Sequence, residues 1–278
     1  MAAIPNIKLN NGIEMPQFGL GVFKMTEGPE VESSVLSALE MGYRGIDTAA
    51  GYRNESGVGR AVKASGLKRE DLFITTKLGN GDHGYDAALK AFEASMELLD
   101  IGYLDLYLIH WPLPMYDRYV ETWKAFIKLY EEKRIRAIGV SNFEPAHLER
   151  IITETNVTPA VNQVEYHPYL TQNVLRDFCD KHGIVIEAWS PLMRGGDILD
   201  DEIIKRLASK YAKTPAQIVL RWDIDKGVVT IPKSVHPERI RENMDIFDFT
   251  LDKGDIAAID SLNRDARIGP DPNVMSNR

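Results

Sequence analysis

Four side chains of unlike chemistry stand along the 278-residue chain: Asp47, then Tyr52, Lys77 and His110 at 5, 30 and 63 residues beyond it. A phenol with its ordinary pKa of about 10 is a poor acid at neutral pH. An ammonium beside it stabilises the phenolate and eases release of the proton. A carboxylate keeps that ammonium charged and oriented, and a neutral imidazole donates a hydrogen bond to a carbonyl oxygen. Together such groups protonate an oxygen as it turns from carbonyl into alkoxide. The set holds no activated nucleophile, so the attacking group comes from elsewhere, and a hydride from a nicotinamide serves. Taken singly, each residue has a blander explanation: Asp47 a turn cap, Lys77 a snorkelling lysine, His110 a satisfied core imidazole. An aldolase-like Schiff base on Lys77 is the competing chemistry.

The elements that must position these groups are legible as eight apolar, strand-like runs at 15–23, 43–50, 71–78, 103–111, 135–143, 159–168, 184–192 and 227–235. Between them lie stretches of helical periodicity, such as Val31, Val35 and Leu39. Helix starts are signalled by Thr26 and Glu27 before Pro29, Asn142 before Pro145, Thr214 before Pro215 and His236 before Pro237. The run around Leu104–Ile109 is apolar on both faces, as in a parallel strand buried on both sides. Eight β-then-α units fill the chain without a linker, and eight parallel strands close a barrel. The fold expected is a single (β/α)8 TIM-barrel domain over 1–278. Asn10-Asn11-Gly12 turns a short hairpin ahead of it, and a loop tail follows Ala266. Six of the runs end in polar residues, and in a barrel these ends share the face where active sites sit.

A second feature is electrostatic. Lys233, His236, Arg239 and Arg241 fall within nine residues of an otherwise acidic chain, where Pro237 opens a helix. Helix N-termini and arginines suit a phosphate.

At these residues the sequence resembles the aldo-keto reductases along essentially its whole length. The motifs are Asp-Thr-Ala-Ala-Gly-Tyr-Arg-Asn-Glu at 47–55, Ile-Thr-Thr-Lys at 74–77, Asp-Leu-Tyr-Leu-Ile-His-Trp-Pro at 105–112, Gly-Val-Ser-Asn-Phe at 139–143 and Asn-Gln-Val-Glu-Tyr-His-Pro at 162–168. Ile-Pro-Lys-Ser at 231–234 and Arg-Glu-Asn at 241–243 complete the order. Val-Phe-Lys at 22–24 and Trp-Ser-Pro-Leu at 189–192 resemble the prokaryotic branch, which includes 2,5-diketo-D-gluconate reductases and glyoxal or methylglyoxal reductases. The resemblance implies NADPH-dependent reduction of small aldehydes and ketones, α-dicarbonyls or keto-sugar acids included. It implies Tyr52 as general acid, tuned by Lys77 and Asp47, with His110 orienting the carbonyl. Phe23 and Trp111 line the substrate pocket on this reading. Ser141, Asn142 and Gln163 hold the nicotinamide carboxamide, Trp189 stacks on its ring, and Ser190 and Leu192 follow the pyrophosphate. Lys233, Ser234, Val235, His236, Arg239, Glu242 and Asn243 take the adenosine half with its 2′-phosphate. A non-catalytic NADPH-sensing subunit on the same barrel is the alternative.

Two places depart from the pattern. Relatives commonly carry a tryptophan after the Thr-Lys strand, where this chain has Gly79, which implies a wider substrate mouth. His236 stands where a small or basic residue is usual. The same segment offers a decoy: Gly79, Gly81 and Gly84 spell G-x-G-x-x-G after a strand, with Asp100 about 20 residues on, as a Rossmann fingerprint does. The seven ordered motifs place the cofactor elsewhere.

Composition narrows the remaining classes. With 33 basic against 41 acidic residues the net charge is −8, which offers no footprint for nucleic acid or an anionic membrane. No apolar run reaches the length of a membrane span. No His or Cys spacing fits a metal site. One cysteine, Cys179, forms no internal disulfide, and the opening MAAIPNIKLNNG breaks too early for a secretory signal, so a cytoplasmic location is expected, while a monomer is what the resemblance implies.

Overall fold

A computed structural model describes residues 4–277. Met1–Ala3 and Arg278, which the expected domain span includes, lie outside the described residues. A hairpin of β1 (Asn6–Lys8) and β2 (Glu14–Pro16) leads the chain. The eight barrel strands follow: β3 (Gly19–Gly21), β4 (Gly45–Asp47), β5 (Phe73–Leu78), β6 (Leu104–Ile109), β7 (Ile135–Ser141), β8 (Val161–Glu165), β9 (Val185–Trp189) and β10 (Val229–Thr230). They pair in sequence order, every pair parallel. β3 and β10 meet through one parallel bridge, Phe18 to Thr230, with the Thr230 N–H donating to Gln17 O at 3.1 Å. Gly21 sits on this seam because any Cβ there would lie 2.8 Å from Ile231 O.

Helices surround the strands: α1 (Pro29–Glu40), α2 (Glu55–Ala64), α3 (Tyr85–Leu99), α4 (Tyr119–Glu131), α5 (Pro145–Thr155), α6 (Asn173–His182), α7 (Glu202–Tyr211), α8 (Pro215–Asp225), α9 (Pro237–Met244) and α10 (Lys253–Asp260). None is long and apolar enough to cross a membrane. Apolar residues on the outward strand face pack under the helices, with Trp123 of α4 and Trp222 of α8 fully buried there. The hairpin closes the N-terminal end, where Leu9 and Met15 pack with Phe73, Leu106, Ala137 and Val229.

The expected architecture is the one observed, with corrections in detail. The first run holds two strands, the hairpin strand ending at Pro16 and the barrel strand starting at Gly19, with Gln17 and Phe18 between them. The last run contributes only two strand residues, because Pro232 has no N–H for the ladder. Lys233 and Ser234 therefore stand in the loop before α9. Of the expected helix starts, Thr214 caps α8 in a capping box with Gln217. α5 is capped instead by Glu144 with His147, and Gly28 stands at the N-cap of α1.

Candidate active site

The C-terminal strand ends open into a cavity of about 1140 Å³. Asp47 ends β4, Lys77 lies near the end of β5, and His110 follows β6 directly. Tyr52 comes from a 3-10 turn, Ala50–Tyr52, that folds the segment after β4 back over the barrel. The four expected residues meet there. Lys77 Nζ donates to Asp47 Oδ1 at 2.6 Å, to Thr48 O at 2.9 Å and to Tyr52 Oη at 3.3 Å. All three ammonium hydrogens are thus engaged, and Lys77 is fully buried. Burial favours its neutral form, but Asp47 and Tyr52 outweigh this and hold the ammonium above the usual lysine range. A lysine so held is no free amine, which removes the Schiff-base reading. The Tyr52 and His110 rings meet edge to face, 5.6 Å between centroids.

The electrostatics correct one expectation. Burial raises the Tyr52 phenol above its ordinary value, and Lys77 only partly offsets this. Tyr52 therefore keeps its proton at neutral pH, and the Lys77 ammonium is placed where it can stabilise a phenolate. Burial, then Lys77, push the His110 imidazole down to about 3, so it is neutral and can donate a ring N–H.

Phe23, Trp111, Ser141, Asn142, Gln163, Trp189, Ser190 and Leu192 line the same cavity. Phe23 is 46% exposed at the rim and packs on the Tyr52 ring, 4.9 Å between centroids. Trp189 N–H donates to Asn142 Oδ1 at 2.8 Å, and Asn142 Nδ2 donates to His110 O at 2.9 Å and Ser141 Oγ at 3.0 Å. This small network fixes the indole and the histidine loop to one another. Farther along, the cavity is lined by Lys233, Ser234, Val235, His236, Arg239, Glu242 and Asn243. Lys233 and Arg239 are exposed, and neither makes a salt bridge among the described residues. A long cleft with a ring-stacking indole at one end and unpaired cations at a helix start at the other fits a dinucleotide phosphate.

Two expected residues do not reach the cavity. Lys77 lies beneath its floor, bonded to Tyr52 and Asp47. Gly79 is replaced at the wall by Asn80, since the chain turns away through the 3-10 turn Asn80–Asp82. The Rossmann decoy fails on the same ground. The Gly84 N–H is taken by Thr122 Oγ1 at 2.8 Å, and Asp100 caps the far end of α3, on the opposite face of the barrel. Sequence reading missed Lys24, Arg53 and Arg194 at the mouth, and Glu187 in the interior. Glu187 was visible as a lone acid inside an apolar strand run. It also passed over how the tail would be held. Glu165 Oε1 accepts the Ile268 N–H at 2.6 Å and lies 2.9 Å from His167 Nε2, while its Oε2 accepts the Gly269 N–H at 2.8 Å. This clasp lays Gly269 and Pro270 along the cavity wall.

Known proteins agree with this geometry. The aldo/keto reductase family model matches residues 17–264. Glyoxal reductase of Bacillus subtilis is 56% identical over 269 residues, 97% of this chain and 96% of that protein. Methylglyoxal reductase DkgA of Escherichia coli is 51% identical over 267 residues, 96% of each chain. The crystal structure of a Gox0644 mutant in complex with NADPH superposes with a TM-score of 0.92 at 46% identity, covering 99% of both chains. Likeness of sequence along nearly the full chain and likeness of barrel converge, and the protein belongs to the aldo-keto reductase family.

Proposed function

We propose that the protein reduces small aldehydes and ketones to alcohols with NADPH, α-dicarbonyls such as methylglyoxal foremost and keto-sugar acids such as 2,5-diketo-D-gluconate next. The observation that carries this reading is Lys77 held between Asp47 and Tyr52 at the floor of a cleft that runs on to unpaired cations. NADPH, when bound, supplies the hydride that adds to the carbonyl carbon, leaving NADP⁺. Ser141, Asn142 and Gln163 would hold its carboxamide, Trp189 its ring, Ser190 and Leu192 its pyrophosphate, and the 233–243 segment its adenosine half.

On this reading the His110 N–H and the Tyr52 O–H converge on the carbonyl oxygen and polarise it. As the carbon–oxygen double bond becomes single, the oxygen takes the Tyr52 proton. An alkoxide is a far stronger base than a phenolate, so the transfer runs downhill even from a phenol raised by burial. The phenolate left behind is held by the Lys77 ammonium, which Asp47 keeps in place. Phe23 and Trp111 exclude water from the reacting carbon.

The test is NADPH oxidation with methylglyoxal, 2,5-diketo-D-gluconate, an aldose and an aromatic aldehyde side by side. Tyr52→Phe lowers turnover by roughly 10²–10⁴-fold, the range for loss of a general acid. Tight NADPH binding with no oxidation across the panel overturns the proposal in favour of a sensing subunit. We further read the chain as one barrel domain acting as a monomer in the cytoplasm, which sedimentation and cell fractionation test.

A further inference from the structure

The barrel interior holds a carboxyl that the reaction as described does not use. Glu187 lies on β9 opposite Gln163 of β8 and is 1% exposed. Gln163 Nε2 donates to Glu187 Oε2 at 2.8 Å and to Asp47 Oδ2 at 2.8 Å. Both hydrogens of the amide are spent on these two acids, so Gln163 Oε1 is the atom left to face the cavity. Asp47 Oδ1 is meanwhile taken by Lys77. One hydrogen-bonded line thus runs from Glu187 through Gln163, Asp47 and Lys77 to Tyr52. We infer that Glu187 is a positioning residue for the proton donor: through Gln163 it fixes Asp47, turns Gln163 Oε1 toward the nicotinamide carboxamide, and by holding or losing its own proton sets the net charge beneath Tyr52. This rests on the reductase reading above.

Charge bookkeeping within the cluster supports it. Two carboxyls and one ammonium share a nearly fully buried space, and an unpaired buried charge is costly. The least costly state places a proton on one carboxyl. Asp47 has the ammonium, so the proton belongs to Glu187. Burial first, and then the charge of Asp47, push the Glu187 carboxyl up to about 8, against the pull of Gln163 and Lys77. Asp47 from β4 and Lys77 from β5 are the charged groups that act on it, and Tyr52 from the turn after β4 feels its charge. The neighbouring β10 residue is Val229, and the hairpin contributes Met15 and Pro16, so neither side adds a charge. Above about pH 8 Glu187 ionises and adds a second negative charge to the cluster. That charge tightens Lys77 and raises Tyr52 further, which makes it a weaker acid.

Glu187→Gln keeps the shape and an acceptor for Gln163 but removes the proton. In single-turnover NADPH oxidation, the wild-type rate falls by about fivefold to tenfold as pH passes through 8, the effect of one added charge at short range. The Glu187→Gln rate does not show that step, and its affinity for NADPH stays within about threefold of wild type. Glu187→Leu, which leaves Gln163 with one acceptor, loses affinity for NADPH and turnover together. Infrared spectra give a readout independent of activity. In an Asp223→Asn background, which removes another buried carboxyl raised by burial, a protonated-carboxyl band fades as pH passes through 8 and is missing from the Glu187→Gln variant. A Glu187→Gln rate profile that superimposes on wild type overturns the inference, and so does a wild-type spectrum without the titrating band. The spectrum stands even if the Gln variant does not fold. A failure of the reductase reading looks different: no NADPH oxidation in the wild type at any pH, whatever the spectrum shows.

Discussion

The tail clasp yields a prediction whose size follows from its geometry. Glu165 is fully buried, and its two oxygens serve three donors: Ile268 N–H at 2.6 Å, Gly269 N–H at 2.8 Å and His167 Nε2 at 2.9 Å. Replacing Glu165 by Gln leaves one oxygen. In either orientation of the new amide, its NH₂ group faces at least one backbone N–H. One hydrogen bond to a charged group is lost, worth about 1.5–3 kcal/mol, and a donor is left without a partner. The opening equilibrium of the tail therefore rises by roughly 10–100-fold. Hydrogen exchange reads this directly: the amides of Ile268 and Gly269 exchange faster by that factor, while barrel amides such as Leu106 do not change. The sign with pH follows too. Burial pushes the Glu165 carboxyl up, but His167 and the two backbone N–H groups outweigh it, and the net shift is downward. A depressed carboxyl contributes stability above its unfolded value of about 4.3 and loses it as pH falls through the folded value. Wild-type tail protection accordingly weakens in acid, and the Gln variant shows no such loss. Because Gly269, Pro270 and Asn277 line the cavity, KM for the carbonyl substrate rises more than kcat falls. Equal exchange at residues 268 and 269 in both proteins would refute the clasp.

Two further outcomes are expected. Arg239→Ala raises KM for NADPH by roughly 10–100-fold and leaves KM for NADH unchanged, since the loss is of a charged contact to the 2′-phosphate; equal shifts for both cofactors argue against that placement. Asp223 on α8 is fully buried, without a well-formed hydrogen bond, and burial holds its carboxyl well above the ordinary range against Thr230 and Arg176. Folding with a raised carboxyl is favoured at low pH, and that stability is lost as pH rises from the unfolded value of about 3.9. Asp223→Asn therefore raises Tm, and by more at pH 8 than at pH 5; a gain that does not grow with pH refutes this.

The barrel and its four-residue cluster were legible because of a physical asymmetry. Parallel strands buried on both faces are mostly apolar along their length, so Asp47, Lys77 and His110 stood out at the ends of apolar runs. Tyr52 was readable by its nearness to Asp47 within one motif. Strand lengths were not legible, because hydrophobicity does not mark where the ladder stops. Pro232 stops it at the last strand by lacking an N–H. Gly79 misled because sequence position cannot tell that the chain turns away and lets Asn80 reach the wall. The net direction of Tyr52 was hidden as well, since burial and the pull of Lys77 oppose each other and only the packed structure decides between them. Glu187 was passed over because a single acid in a strand gains meaning only from its cross-strand neighbour.

The seam between β3 and β10 has a mechanical consequence. Neighbouring barrel strands elsewhere pair over two to five residues, while here one bridge and a 3.4 Å contact from Gly21 N–H to Pro232 O hold the lips together. Gly21, Ile231, Pro232 and Lys233 border the cleft. On the proposed placement, a dinucleotide there would touch both lips, like a rivet across a split in a pipe. Whatever binds the closed ring alone shifts the balance toward it. On the proposed placement of the cofactor, the most sparsely bonded line of the barrel borders the groove it would fill, and binding there would help hold the ring shut.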